Sequence, residues 1–116
     1  METKDFNKLT KNFFEDCKAI LGVKADEYAQ EGDRLSSFKR AAGLELCEPE
    51  ESLKGMLTKH IVSIYQFIDE LNDIEGIDRP LSQWREKLVD AVNYIGPLLW
   101  ALLIERYNAE QNEELM

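Results

Sequence analysis

The chain has 116 residues, of which 44% are hydrophobic and 32% charged, with a formal net charge of -9. That length supports one domain with a single core, and the balance is that of an ordinary globular protein. Phosphate backbones and anionic bilayer surfaces need clustered Lys and Arg, so duplex nucleic acid and membrane are not expected partners; acidity suits a divalent cation or a phosphate ligand that brings its own metal.

Two cysteines, Cys17 and Cys47, stand far apart and in no zinc-like spacing, and are read as reduced thiols. The first residues carry Glu2, Lys4, Asp5 and Lys8 with no apolar h-region, so no secretory signal is read there. The longest apolar run, Ile95 to Ile104, is about half of the roughly 20 residues a membrane span needs. A cytoplasmic location is expected.

In chain order, Phe6, Leu9, Phe13, Cys17, Ile20 and Leu21 recur at helical intervals, which predicts a first helix over about 3–21 with Gly22 as its stop. The polar stretch Val23 to Gly32 is expected to begin as a short helix and turn at Gly32. Asp33 then suits the N-cap of a second helix through about Ala42, ended by Gly43. Pro49, followed by Glu50 and Glu51 where the helix dipole favours carboxylates, marks the start of a third helix that reaches Leu71. A fourth helix opens near Arg79-Pro80-Leu81-Ser82 and continues to about Tyr107, interrupted at Gly96-Pro97, where proline deletes a hydrogen bond and forces a kink or two nearly coaxial helices. Residues 1–107 form a single helical domain in this reading, and 108–116 a frayed polar tail. Period-two alternation is missing throughout. The expected fold is therefore all-α, an antiparallel bundle of about four main helices.

The fourth helix is the most informative. Leu88, Val89, Val92, Ile95, Leu98, Leu99, Leu102 and Leu103 cover most of its circumference, leaving a narrow stripe of Glu86, Asp90 and Asn93 with Lys87 beside it. At about 100° per residue those three fall within roughly 60° of one another. Such a helix is expected to be buried, more so than one small bundle achieves, so self-association through it, as a dimer or higher oligomer, is also expected. Buried carboxylates need partners. Glu86 and Asp90, one turn apart, could hold one Mg ion, with Glu27, Asp33 or Asp69 completing the set; alternatively Lys59, Arg34 or Lys24 closes them into a structural ionic network. His60 lies on the apolar face of the third helix, read either as a core histidine partnered by Asp90 or Glu86 or, with Lys59, as facing a phosphate. Phe38 and Trp100 are expected in the core, while Trp84 either covers the core beside the third helix or stacks on a base or another subunit.

Lys24-x-x-Glu27-Tyr28, Asp33-Arg34-x-x-x-Phe38-Lys39, Lys59-His60 and Glu86-Lys87-x-x-Asp90-x-x-Asn93-Tyr94 together are similar to a group of small helical proteins carried by bacteriophages and prophages, over about residues 20–105. That group is distantly similar to the MazG-like all-α nucleoside-triphosphate pyrophosphohydrolases. The resemblance implies a nucleotide ligand with magnesium around Lys24, Glu27, Asp33, Lys59, His60, Glu86, Asp90 and Asn93. A formal ExxE, spacer, ExxD match, Glu48, Glu51, Glu70 and Asp73, fails on geometry, because Glu51 and Glu70 lie roughly 28 Å apart on one helix. The double-glutamate motif is missing from the partner helix, and Lys87 stands where the MazG pattern often has a second carboxylate. Hydrolysis, nucleotide binding alone, and a non-enzymatic helical interaction module all remain open at this point.

Overall fold

Pro97 shapes the longest element of the structure. In this computed structural model, which describes the backbone of residues 1–28, 32–73 and 78–115 and their side chains apart from 24–28 and 112–115, five helical segments follow one another. They are α1 (Thr3–Tyr28), α2 (Ser36–Glu45), α3 (Pro49–Leu71), α4 (Leu81–Asn93) and α5 (Leu99–Leu115), with a π-helical turn, Tyr94–Leu98, joining the last two. Proline has no N–H to give and its ring crowds the carbonyl four residues back. The wider π turn accommodates it without ending the rod.

α3 and the α4–α5 rod form an antiparallel hairpin whose contacts fix its register. Glu70 meets Arg79 and Phe67 meets Trp84 near the turn; His60 meets Tyr94 midway; Leu53 clusters with Leu98 and Leu102; and Glu50 pairs with Arg106 at the far end. α2 lies against α3, adding Leu35 and Phe38 to the cluster of Leu53, Leu98 and Leu102 that is the centre of the core. α1 packs on α4. All described segments are helical or connecting, with no β-strand among the described residues, in agreement with the all-α bundle expected.

Several boundaries differ from expectation for local reasons. α1 continues through Gly22 to Tyr28, and the left-handed residue that follows it is Gly32, with φ of 78°; a glycine stops a helix only where the chain adopts that conformation. α2 likewise runs through Gly43 to Glu45 and is closed by Leu46, whose φ and ψ of 58° and 47° are left-handed, its N–H bonding to the Ala42 carbonyl. Asp33 acts just before the helix rather than as its cap: its Oδ1 accepts from the Leu35 N–H at 3.0 Å. The expected frayed tail is helical to Leu115, supported by the Arg106–Glu110 pair at 3.3 Å and by Gln111 donating to the Tyr107 hydroxyl at 2.8 Å.

The largest correction concerns Trp100 and the rod that carries it. Trp100 is 65% exposed and Ile95 60%, so the near-cylindrical apolar surface of residues 88–104 is buried on one side only. Uncovered apolar side chains also line α1, at Phe6 and Leu9, and α3, at Val62 and Tyr65. The chain extends over 60 × 33 × 25 Å with a radius of gyration of 17.5 Å, against about 13 Å for a compact domain of 100 residues.

Candidate functional site

Ser82, Arg85, Glu86, Val89, Asp90 and Asn93 recur every three or four residues along α4, so they share the face that α1 covers. Between the two helices lies an open cleft of about 410 Å³, walled on α1 by Asp16, Ala19 and Ile20 and on α4 by that polar stripe. Arg85 reaches across it to Asp16 at 3.4 Å. Glu86 is exposed and Asp90 half-buried. Both therefore line an open cleft.

One turn beyond Asp90, Asn93 is buried, with only 4% of its surface exposed. Its Nδ2 donates to the Cys17 carbonyl at 3.1 Å, which ties the centre of α1 to the end of α4. The neighbouring Cys17 thiol is buried too, and burial, helped by the charge of Asp16, raises its pKa above the ordinary thiol value. That keeps it protonated and unreactive. The other amide atom, Asn93 Oδ1, is buried without a hydrogen-bond partner.

A second cavity, of about 270 Å³, opens where α1, α2, α3 and the π turn meet. Leu21, Phe38, Met56 and Leu98 give it an apolar lining, and Arg34, Ser37, Asp90 and Asn93 a polar one. Asp90 borders both spaces. Tyr94, also in the wall, stands edge-on to Phe38 with ring centroids 6.1 Å apart and is stacked on His60 at 5.1 Å. His60 is therefore a half-buried aromatic neighbour of Tyr94.

The remaining expected site residues are distributed differently. The Asp33 carboxylate holds the Lys39 ammonium at 2.6 Å, and Lys39 in turn pairs with Glu105 at 2.9 Å, which fastens the start of α2 to α5. Hydrogen bonding to Lys39 lowers the Asp33 pKa, and the same contact raises that of Lys39. Lys59 is exposed on α3. The side chains of Lys24 and Glu27 lie outside the described residues. Among the described residues, no three His, Cys, Asp or Glu side chains come close enough together to hold one metal ion.

Glu70, one of the four carboxylates of the formal pyrophosphohydrolase match, is not simply solvated. Arg79 forks onto it at 2.7 and 3.1 Å while its guanidinium lies 4.2 Å from the Phe67 ring centroid, and Trp84 closes the same cluster edge-on to Phe67 at 5.3 Å. Trp84 thus covers the core beside α3. Asp16 and Arg85 were not among the residues singled out in the sequence, although the spacing of 82, 85, 86, 89 and 93 shows that Arg85 shares the stripe. No family model matches the chain, and neither the curated proteins nor the solved structures contain a significant match to it.

Proposed function

We propose that this chain is a helical homo-oligomeric interaction module, of the small phage and prophage type its motifs resemble, acting in the cytoplasm without catalysis. The observation that carries the reading is the uncovered apolar side of the α4–α5 rod. Leu88, Ile95, Trp100, Leu103, Ile104 and Tyr107 are all exposed, and Trp100, Leu103, Ile104 and Tyr107 follow the i, i+3, i+4, i+7 spacing of a helix-packing face. A groove of about 550 Å³ runs beside them. A contiguous exposed apolar surface of this kind marks an association site.

A second copy is the fitting occupant. For a protein of net charge -9, like-charge repulsion between copies is least where the contact itself is apolar, and Trp100, Leu103, Ile104 and Tyr107 present such a stripe, with Arg106 and Glu110 at its edge. Two-fold pairing lays the same stripe against itself. By length and composition, the helix Leu81–Gln111 is also apolar enough to cross a membrane, with 28% of its most apolar window buried. Its ties to α3 through Arg106–Glu50 and to α2 through Lys39–Glu105 favour a protein-covered face. Trp100→Asp combined with Ile104→Asp is expected to yield a folded monomer where the native chain sediments as a dimer or larger. An unchanged mass for the variant, or partition of the native chain into lipid vesicles, removes the reading.

A second reading is favoured by the open cleft. Glu86 and Asp90, one turn apart on its wall, suit a magnesium ion completed by waters, and Arg85 a phosphate of the nucleotide it accompanies. Magnesium with a nucleotide is then expected to raise the thermal midpoint, by about 2.7 kcal/mol of added stability at a hundred times Kd, and Asp90→Asn to abolish the shift. An unmoved midpoint across mono-, di- and triphosphates excludes it.

A further inference from the structure

The first half of α1 stands outside the bundle. Every residue from Met1 to Leu9 is exposed; cover begins at Thr10 and Phe13 and is complete at Cys17. Phe6 and Leu9 precede Phe13 by seven and four residues, so they prolong the side of α1 on which Phe13 and Cys17 meet the bundle, yet 56% and 48% of their surface stays in water. Asp5, Lys8, Leu9, Asn12 and Phe13 follow the i, i+3, i+4, i+7, i+8 spacing of one helix face. With Arg85 they border an open groove of about 460 Å³. The local charge also differs from that of the molecule. In a chain of net charge -9, Glu2 and Asp5 are here outnumbered by Lys4, Lys8 and Lys11, and neither Asp5 nor Lys8 forms an ion pair among the described residues.

We propose that this half-helix pairs antiparallel with its counterpart in a second copy, about a two-fold axis near Asn7, with Phe6 and Leu9 of both copies clustered on the axis and Asp5 of each beside Lys8 of the other. The charges select the direction. A two-fold pairing brings together residues that lie equally far on either side of its axis, so an antiparallel pair makes the Asp5–Lys8 contact twice, whereas a parallel pair sets Asp5 level with Asp5 and Lys8 with Lys8. The groove beside Arg85 leaves room for the first turn of the other copy. Ten residues a side bury less than the roughly 1,200 Å² of a stable interface, so the contact is weak between single chains. It joins copies that are already paired elsewhere by raising their effective concentration. It uses none of the residues of the α4–α5 stripe and does not depend on that contact.

The test is a concentration series of amide NMR spectra of the full chain, from tens of micromolar to about 2 mM. It is run in the Trp100→Asp, Ile104→Asp background, which removes the other contact, and in the native chain, which serves if that background does not fold. The amides of residues 3–13 are expected to shift together with a Kd of about 1 mM, while those of α3 stay fixed. Lys8→Asp turns two attractions into two repulsions and is expected to weaken the contact about tenfold, enough to silence the shifts. Asp5→Lys is expected to do the same. An equimolar mixture of the Asp5→Lys and Lys8→Asp chains places opposite charges together again and is expected to restore the shifts. All of these positions are exposed, so circular dichroism should report an unchanged helix content. Constant spectra up to 2 mM, shifts that survive Lys8→Asp, or a mixture as silent as its components overturn the proposal. Sedimentation of the native chain reads the α4–α5 contact separately, so either contact can fail without the other.

Discussion

Asp33 and Glu70 are carboxyls that the fold holds below their ordinary range, the first through its hydrogen bond to Lys39 and the second through the Arg79 fork. A carboxyl with a lowered folded pKa stabilises the native state in full above its unfolded value, about 4, and that contribution is lost as pH falls through the folded value. Thermal melts between neutral pH and about pH 3 are therefore expected to show the midpoint falling on the acid side, with a shallower fall in the Asp33→Asn, Glu70→Gln double variant. An identical acid slope in the variant contradicts the assignment. Solvent screens Asp33 and Lys39, whose side chains are 35% and 41% exposed, so the Arg79–Glu70 fork over Phe67, with exposures of 25% and 13%, is expected to carry the larger part. Arg79→Ala should accordingly lower the neutral-pH midpoint more than Lys39→Ala does, in parallel calorimetric scans.

At the scale of elements, the cap of α2 offers a clean prediction. Leu46 is left-handed and 92% exposed, a conformation that costs an L-residue about 1–2 kcal/mol. Leu46→Gly is expected to stabilise the fold by about 1 kcal/mol after the greater freedom of glycine in the unfolded chain is counted, raising the midpoint by roughly 4 °C. A lower midpoint means that Leu46 has a packing role. The same element shows what the sequence can and cannot tell. α3 was legible at both ends because Pro49 and the acidic first turn act locally, and Pro97 announced its irregular turn for the same reason. Gly22 and Gly43 looked like stops, yet each lies inside a helix, because a glycine permits the left-handed conformation without requiring it. The site divides likewise. Glu86, Asp90 and Asn93 share a face through helical period alone, whereas Asp16 joins them only through the packing of α1, and Asp33 and Lys59 were grouped with them by motif rather than by any local rule.

For the whole molecule, burial is where the expectations and the fold part most clearly. An apolar circumference predicts burial, and Leu98 and Leu102 meet it, but Trp100 on the same rod does not because three neighbouring helices reach only one side. A radius of gyration of 17.5 Å and an uncovered apolar side are accounted for together if a second copy completes the core. Dilution should then weaken the fold as well as the assembly, giving a midpoint that rises with protein concentration. The most direct test is sedimentation equilibrium of the native chain from low to high micromolar concentration. Twice the 13.4 kDa chain mass or more, reverting to a folded single chain in the Trp100→Asp, Ile104→Asp variant, is the predicted result; a single 13.4 kDa species throughout the range contradicts it.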